Sequence, residues 1–427
     1  MTEASLSPWR LRDFRTLFAA GALSHLGSDV GYVAIPLLAV TTLGAGPGQA
    51  GALAALSTAA FLVVGLPAGA WVDRLHARRV LVAADAARAV LFASIPVAWW
   101  LGVLSLPQLY VVVLLTGCAT VFFDVGSQSV LPELVGRERL VPANTVLVSL
   151  MAGAGIAGRG AGGLLVQLCT APLAILGGAI AYLASAAGLT GIRRCHAPAA
   201  APAGRKRLRA EVAEGLRHVL GSRELRALAL TAALSNLGAQ MINAMLPVLF
   251  VRELHLPAGA LGAYWAAGAL GVLLGAGVAG RLAARLGHGR TLGLAGLWFS
   301  PAALAVALVD DGPWLWVAGA GWLLTMAKTG IANVLGVTLR QHMTPDPLLG
   351  RMNATFRFLL TGALAIGSAL GGLIGQTAGV RVAVGAGAIC MACAFFPVFR
   401  SPVRKLRELP VATPPPRRAS AATASET

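Results

Sequence analysis

The sequence predicts an all-α integral membrane protein with twelve transmembrane helices, arranged as two six-helix bundles around a central cavity. Three observations support this fold: an apolar composition, twelve long apolar runs, and an internal repeat that relates the two halves. Apolar residues make up 57% of the 427 residues and charged residues only 12%, with a mean hydropathy of +0.74. So few charges cannot cover the surfaces of the soluble domains that a chain of this length would otherwise form.

The apolar runs are each long enough for one membrane crossing, which needs about 20 residues. Short loops separate them, and irregular backbone is confined to those loops because lipid offers no hydrogen-bond partners. The predicted spans are 15–42, 49–71, 79–103, 106–130, 145–168, 172–192, 225–251, 257–284, 290–309, 313–339, 354–376 and 380–399.

One long polar stretch interrupts this series and divides the chain in two. It begins with a Pro/Ala run and continues as a predicted basic, amphipathic helix from Arg205 to Leu220. The predicted parts are a cytoplasmic N-terminus (1–14), an N-terminal bundle (15–192), a cytoplasmic linker (193–224), a C-terminal bundle (225–399) and a disordered cytoplasmic tail (400–427).

Three motifs recur at nearly one offset. Gly69 with Arg74 and Arg79 recurs as Gly280 with Arg285 and Arg290, a separation of 211 residues (280 − 69). The other two pairs are Asn144 with Asn353 and Gly158 with Gly367, each 209 residues apart (353 − 144, 367 − 158). Such a duplication predicts parallel repeats related by an axis along the membrane normal, as in two-bundle secondary transporters.

The net charge of +17 is explained by orientation rather than by nucleic-acid binding. Basic residues concentrate in alternate loops and at the span ends beside them, including those around 74–79, 281–290 and 340–357 (among them Arg357), whereas the loops near 43–48 and 103–106 carry none. By the positive-inside rule, both termini and the linker are cytoplasmic. Two arginines depart from this pattern: Arg252 and Arg381.

The residues Gly69, Asp73, Arg74, Arg78 and Arg79 form a charged loop between the second and third apolar runs. This loop resembles the signature that the major facilitator superfamily carries at the same place. The resemblance covers the chain up to its tail and implies a transporter with a rocking, two-bundle mechanism. It also implies that the loop is part of a cytoplasmic gate.

Two further motifs refine the resemblance. Gly158, Gly162 and Gly163 in span five resemble the antiporter signature Gly-Pro-x-x-Gly-Gly, although Arg159 stands in place of the proline. The segment 131–135 with Asn144 resembles the branch of bacterial siderophore and macrolide exporters. Span four lacks the arginine usual in proton-coupled drug exporters, and the second loop copy has Ala284 where the first has Asp73.

Ionisable side chains within the membrane are functional candidates because they cost several kcal/mol unless paired or hydrated. At about 1.5 Å per residue, Asp29, Arg159 and Lys328 lie near the midplane. His25 shares a helix face with Asp29, so the pair could hold a proton near neutral pH. We predict that Asp29 carries the proton with His25 as helper, and that Arg159 and Lys328 bind substrate or counter-ion. A static ion pair of Asp29 with either base is the alternative.

Span seven carries a polar stripe of Asn236, Gln240 and Asn243, spaced as residues on one helix face. Such a stripe is typical of a helix that lines a wet cavity, and equally of interhelical hydrogen bonding. With two bases against one acid near the midplane, the cavity is expected to be net positive and to favour an anionic substrate.

A second charged set lies toward the cytoplasmic side and is predicted to be the gate. Asp85 and Arg88 are spaced to pair along span three, and Asp124 on span four could join them. Together with Asp73 they would hold the cytoplasmic ends together in the outward-facing state. The alternative is that Arg74, Arg78 and Arg79 serve only as topology anchors. The full predicted gate is Gly69, Asp73, Arg74, Arg78, Arg79, Asp85, Arg88 and Asp124.

Glycines in spans five and eleven predict helix-packing faces rather than phosphate loops, because no strand precedes them. These residues are Gly158, Gly162, Gly163, Gly367, Gly371 and Gly372. No catalytic or metal-binding motif is present in the sequence, so we expect no enzyme activity and no cofactor.

The resemblance implies proton-coupled efflux of a small amphiphilic compound, such as a drug, siderophore or secondary metabolite, by alternating access. An uptake symporter for an organic anion and a non-transporting receptor are the alternatives. The expected partners are the substrate, protons and the lipid bilayer, with no nucleic acid. The protein is expected to be a monomer in the bacterial cytoplasmic membrane.

Overall fold

The computed structural model describes residues 8–72, 75–136, 139–192, 208–345 and 348–407. Within these residues the fold is all-helical, and the helices form two bundles of six crossings. The first bundle consists of α1 (Arg12–Thr41), α2 (Pro47–Val72), α3 (Ala77–Trp100), α4 (Leu106–Val135), α5 (Leu140–Leu168) and α6 (Ala171–Leu189).

The second bundle follows a short linker helix, α7 (Leu208–Gly221). Its helices are α8 (Arg223–Val248), α9 (Ala258–Leu286), α10 (His288–Phe299), α11 (Ala303–Val306), α12 (Pro313–His342), α13 (Leu349–Thr377), α14 (Val380–Cys393) and α15 (Phe396–Arg400). Helix α8 continues through a π-helical turn over Leu249–Glu253. Most helices start within a few residues of the predicted spans, because charge and hydropathy change abruptly at the loops.

Helix boundaries follow local backbone chemistry. Prolines lie in the first turns of α4, α6 and α12, where the missing N–H has no intrahelical partner to lose. Gly136 and Gly287 end α4 and α9 with φ of 73° and 91°, a conformation that costs glycine little. Short loops can therefore reverse the chain at both membrane faces.

Eleven helices in the described residues are long and apolar enough to cross a membrane alone. The remaining crossing, predicted at 290–309, is broken into α10, a 3-10 turn over Ser300–Ala302 and α11. Pro301 lies in that turn, and proline removes a backbone donor and clashes with the preceding helical turn. The broken helix completes the twelve crossings.

The helix predicted in the linker is present as α7, and the start of the tail is more ordered than the sequence indicated. Helix α7 contacts α13 through an ion pair between Glu214 and Arg351. The tail was predicted to be disordered from residue 400, but Pro402–Lys405 form a 3-10 helix, and the Leu406 carbonyl accepts a 3.1 Å hydrogen bond from the backbone N–H of Gly289. Residues 408–427 lie outside the described part.

The two bundles meet closely at the end that carries the uncharged loops, hereafter the uncharged end. Helix α2 packs against α13, and α5 against α9. A Cβ on Gly51 would lie 2.4 Å from the Cα of Gly372, and one on Gly163 would lie 2.8 Å from the Cα of Gly262. Only glycine permits these two backbone approaches.

Two glutamines reinforce this contact. The Gln376 side chain accepts a 3.2 Å hydrogen bond from the backbone N–H of Gly48, and Gln167 accepts one of 3.1 Å from Gly259. The glutamines are 209 residues apart (376 − 167) and the glycines 211 (259 − 48), so the contacts are repeat-related. The start of α2 is thus capped by a glutamine of the second half, and the start of α9 by a glutamine of the first half.

Arg381, an exception to the predicted charge pattern, is neutralised by acids at the uncharged end. Its guanidinium lies 3.5 Å from Glu253 and 3.3 Å from Asp310. The pKa of Asp310 is lowered mainly by a hydrogen bond from the backbone N–H of Asp311 and, to a smaller extent, by the charge of Arg381. This exposed cluster adds no net positive charge to that face.

Candidate functional site: a cavity between the two bundles

A cavity of about 460 Å³ lies between the two halves and is lined by helices from both. Helices α1, α2, α3, α4 and α6 line it from the first half, and α8, α9 and α13 from the second. Its aromatic lining includes Tyr32, Phe61 and Trp265, and its polar lining includes Asp124 and Arg357. A mainly apolar cavity with a few polar groups suits an amphiphilic small molecule.

Asp29 and Arg159 form an ion pair beside this cavity. The Arg159 Nε donates to Asp29 Oδ1 at 3.1 Å, and its guanidinium lies 4.8 Å from the ring centre of Tyr32. The side chains of Arg159 and Asp29 remain 31% and 17% exposed. The helices therefore do not enclose either side chain completely.

Gly158 makes this pairing possible, since a Cβ there would lie 2.6 Å from the Cβ of Asp29. Glycine in α5 lets that helix approach α1 at the level of the acid. Arg159, where the antiporter signature has proline, reaches Asp29 with its side chain from within α5.

Asp124 forms a second charged group at the cavity wall. It lies within electrostatic reach of His25, Arg88 and Arg357. The His25 ring packs edge-on against Phe123, with the ring centres 6.4 Å apart. His25 is thus oriented toward α4, although it shares a helix face with Asp29.

Arg357 is a cavity residue that the sequence interpretation assigned to a loop. It lies eight residues inside α13, which begins at Leu349 rather than at 354, and its guanidinium lies 4.2 Å from the ring centre of Phe61. Tyr32 and Trp265 were also missed, because aromatic residues in apolar runs carry no signal of which face they occupy. The helical spacing between Asp29 and Tyr32 was the one available clue.

The amide stripe of α8 divides between two sites. Gln240 and Asn243 line the central cavity, and Asn243 accepts a 2.8 Å hydrogen bond from the indole N–H of Trp265. Asn236 lines a separate cavity inside the second half. The stripe thus combines cavity lining with interhelical hydrogen bonding.

Lys328 also lies in that separate cavity and not beside Asp29. Its side chain is 5% exposed, and Nζ donates to the Ser235 hydroxyl at 3.3 Å. The span that contains Lys328 was predicted correctly, but its helix face was not, and its depth in the membrane stays a prediction. Among the described residues, the central cavity has Asp29 near Arg159 and Asp124 near Arg357, so the net positive charge expected there is not found.

Asp85 and Arg88 contact each other inside the first bundle, where both are fully buried. The Asp85 carboxylate accepts hydrogen bonds from Ser24 at 3.1 Å and Ser185 at 2.5 Å. The Arg88 guanidinium lies 4.5 Å from the ring centre of Tyr182 and equally far from that of Phe123.

The hydrogen-bond network of Asp85 and Arg88 does not lie between the two bundles, where a gate that holds them together was predicted. All the partners given for Asp85 and for the Arg88 hydrogen bonds belong to the first half of the described chain, so the pair links helices of one bundle. The long, fully buried side chain of Arg88 points into that bundle, a choice of face that spacing alone could not reveal.

The rest of the predicted gate is only partly described. Asp73 and Arg74 lie outside the described residues, and Gly69 lies in α2. Arg78 donates to the carbonyl of Ile192 at the end of α6 at 2.9 Å, and Arg79 is exposed. The gate role of this loop stays a prediction.

The predicted packing glycines lie at helix contacts of two kinds. Gly158 and Gly162 face α1, while Gly367 and Gly371 face α8. The third glycine of each set, Gly163 or Gly372, faces the other half. In the described part of the chain, no group of three or more His, Cys, Asp or Glu residues could hold a metal ion.

Comparisons with known proteins agree with this architecture. Residues 3–420 match the family model described as transmembrane secretion effector. The enterobactin exporter EntS of Escherichia coli O1:K1 / APEC is 28% identical over 376 residues, covering 85% of each chain. EntS of Salmonella typhi is 27% identical over 379 residues, with the same coverage.

Solved structures share the fold at low identity. The nucleoside transporter NupG superposes with a TM-score of 0.74 at 12% identity, covering 91% of this chain and 100% of its own. A bacterial homologue of the iron transporter ferroportin, in an inward-facing state, superposes with a TM-score of 0.73 at 18% identity, covering 91% and 98%.

Proposed function

Because the chain belongs to the transmembrane secretion effector family of the major facilitator superfamily, we propose that it exports a small amphiphilic compound in exchange for protons. The chain is a multi-pass membrane transporter. Efflux, proton coupling and alternating access are the proposal, as is a cytoplasmic-membrane location with both termini inside. Its relatives named as enterobactin exporters make a siderophore the first substrate class to test.

The observation that carries the proposal is the cavity between the halves, closed at the uncharged end. Its volume of about 460 Å³ falls within the roughly 300–1,000 Å³ of small-molecule sites. The Gly51–Gly372 and Gly163–Gly262 contacts block one exit. If the basic loops are cytoplasmic, as proposed, this is an inward-facing state ready to receive cargo from the cell.

We assign proton coupling to Asp29. Exchange requires that proton and cargo compete for one group, and a carboxylate meets this requirement. Ionised Asp29 accepts hydrogen bonds from Arg159 and from a donor on the cargo, whereas a proton neutralises it and releases both. Its partial exposure lets protons reach it without passage through the packed bundle.

Arg159 supports a second candidate, uptake of an organic anion together with a proton. Protonation of Asp29 would free the guanidinium to bind a carboxylate of the substrate in a bidentate geometry. In this scheme proton and substrate bind together rather than in competition. The near balance of acids and bases around the cavity favours the exchange scheme, because a site for anions alone would carry excess positive charge.

We assign the gate at the basic end to Asp124 and Arg357. They belong to different halves, line the same cavity and attract each other electrostatically. Rocking of the bundles that opens the uncharged end would bring α4 and α13 together at the other end. The loop with Asp73, Arg74, Arg78 and Arg79 would strengthen that closure.

The test uses membrane vesicles of both orientations and a labelled catecholate siderophore. Inside-out vesicles energised to an acidic interior should accumulate the compound, and a protonophore should release it. Right-side-out vesicles should not accumulate it. Accumulation only in right-side-out vesicles would establish uptake instead, and no movement of any compound in a siderophore and macrolide panel would contradict the proposed cargo class.

A further inference from the structure

The second half of the chain contains its own cavity, separate from the one between the bundles. Its volume is about 100 Å³, and it is lined by α8, α10, α12, α13 and α15. A cavity needs roughly 10–15 Å³ by this measure to hold one water. This one can therefore hold a small solute with a few waters, but not an amphiphilic cargo molecule of the size that the central cavity accepts.

Lys328 brings a positive charge to this cavity without a negative partner. Its side chain is 5% exposed, and the structure gives it one hydrogen bond, to the hydroxyl of Ser235. No ion pair joins it to a carboxylate of the described residues. A buried charge of this kind is costly unless it is compensated.

The other polar groups of the cavity can donate hydrogen bonds. Asn236 and Asn333 contribute amides, and the structure gives neither amide a hydrogen-bond partner among the described residues. The Nε of Arg340 is buried and likewise has no hydrogen-bond partner there. Within the described part of the chain, no acidic residue lines the cavity. Donors surrounding a lysine, without acids, make an environment selective for anions.

Comparison of the two halves explains how this environment arises. Ser235 lies 211 residues after Ser24 (235 − 24), and both hydroxyls accept from the basic residue of their own half. Gly296 lies 211 residues after Asp85 (296 − 85). The first half therefore supplies a carboxylate beside its base, and the second half supplies a glycine.

A matching change occurs at the neighbouring helix. Ser185, which donates to Asp85, lies 210 residues before Phe395 (395 − 185). The Cβ of Phe395 would be 2.7 Å from a Cβ on Gly296, and both residues line the cavity. The acid and its hydroxyl partner are thus replaced by an apolar contact, while the serine is kept. Phe299 lies 211 residues after Arg88 (299 − 88), so the base of the second half, Lys328, comes from a different helix, α12.

We propose that this cavity binds a small monovalent anion, a halide or a short carboxylate, which takes the place that Asp85 has in the first half. Lys328 supplies the positive charge, and the side chains of Ser235, Asn236 and Asn333 donate hydrogen bonds to the anion. The ligand comes from the free ions of the surrounding solution. The site is independent of the proposed transport cargo and does not require proton exchange.

The experiment measures thermal unfolding of the purified full-length protein at constant ionic strength, with sodium chloride replacing sodium gluconate. Chloride should raise Tm in a saturable manner, and acetate should do the same, whereas the bulkier citrate should not. Lys328→Met should abolish the rise, and Lys405→Met, on the exposed tail, should leave it unchanged. Equal behaviour in chloride and gluconate for the unmodified protein would overturn the proposal.

Two further variants keep the test decisive if Lys328→Met does not fold. Ser235→Ala should weaken the apparent chloride affinity by about tenfold, the loss of one charge-assisted hydrogen bond. The double variant Gly296→Asp with Phe395→Ser restores the acid and hydroxyl of the first half, and should be stable without chloride and insensitive to it. An unchanged chloride response in these two variants would place the anion elsewhere. A rise with citrate as large as with chloride would mark a general salt effect and also overturn the proposal.

Discussion

Asp29 and Asp85 are both acids within membrane helices, yet their surroundings differ. Asp85 is fully buried and bonded to two serines and an arginine, so its charge is fixed in place. Asp29 has one arginine partner and is 17% exposed. The difference in exposure assigns proton exchange to Asp29 and a structural role to Asp85.

Replacement of Asp29 by Asn tests the first assignment. Asp29→Asn cannot change its charge with pH, so proton-driven export should be lost while the protein stays in the membrane at its normal level. Asp311→Asn, the same chemical change on an exposed loop, serves as the control. Export and membrane abundance are measured in the same cells. Export at the level of the unmodified protein would refute the role of Asp29.

Replacement of Arg88 tests the structural role assigned to Asp85. Arg88→Met leaves the buried Asp85 carboxylate without its ion pair, a loss that typically costs about 3–5 kcal/mol. The purified variant should unfold at a clearly lower temperature, whereas Arg79→Met, on the exposed side of α3, should change Tm little. If both variants have the same Tm as the unmodified protein, the network of Asp85 and Arg88 does not stabilise the first bundle.

At the scale of helices, the glycine contacts determine which end of the transporter is closed. Gly163 of α5 meets Gly262 of α9, and the repeat places the same contact between α13 and α2. Both contacts lie at the uncharged end, beside the two glutamine caps. An added side chain at either position must separate the bundles there.

Gly163→Val should therefore shift the protein toward a form open at the uncharged end. In a background without native cysteines, Ala54→Cys on the cavity wall should react faster with a membrane-impermeant maleimide added from outside. Gly153→Val in the same helix is the control, because nothing lies within 4 Å of a Cβ at that position. Equal labelling rates in the two variants would show that the close contact does not hold this end shut.

Most of the helices could be predicted from the sequence because a membrane span is recognisable from the length and hydropathy of an apolar run. The break in the ninth crossing could be suspected only from Pro301, and the ordered residues 400–407 carried no such signal. They are held by a backbone contact to α10, which depends on tertiary packing rather than on composition.

At the scale of the whole molecule, the position of a residue along its helix was predictable, and the direction of its side chain was not. Counting residues along a span locates Lys328 near the midplane, but only packing shows that it faces a cavity within its own half. Arg357 was assigned to a loop for the opposite reason, since a basic residue near a span end is usually a topology marker. Gln167 and Gln376 are separated by the offset of the internal repeat, so their equivalence could have been found in the sequence.

The repeat organises these results. Both halves have a base bonded to an equivalent serine, although the two bases come from non-equivalent helices, and only the first half has an acid beside its base. Both halves contribute one glycine contact and one glutamine cap to the closed end. The central cavity takes one acid–base pair from within the first half and another from across the two halves.

The central claim is that cargo and protons move in opposite directions through this cavity. Proteoliposomes containing the purified protein and a pH-sensitive dye permit both fluxes to be followed after labelled siderophore is added on one side. We predict that each inward movement of siderophore drives protons outward, and that Asp29→Asn uncouples or stops both fluxes. Protons that enter together with the siderophore would contradict exchange and establish symport.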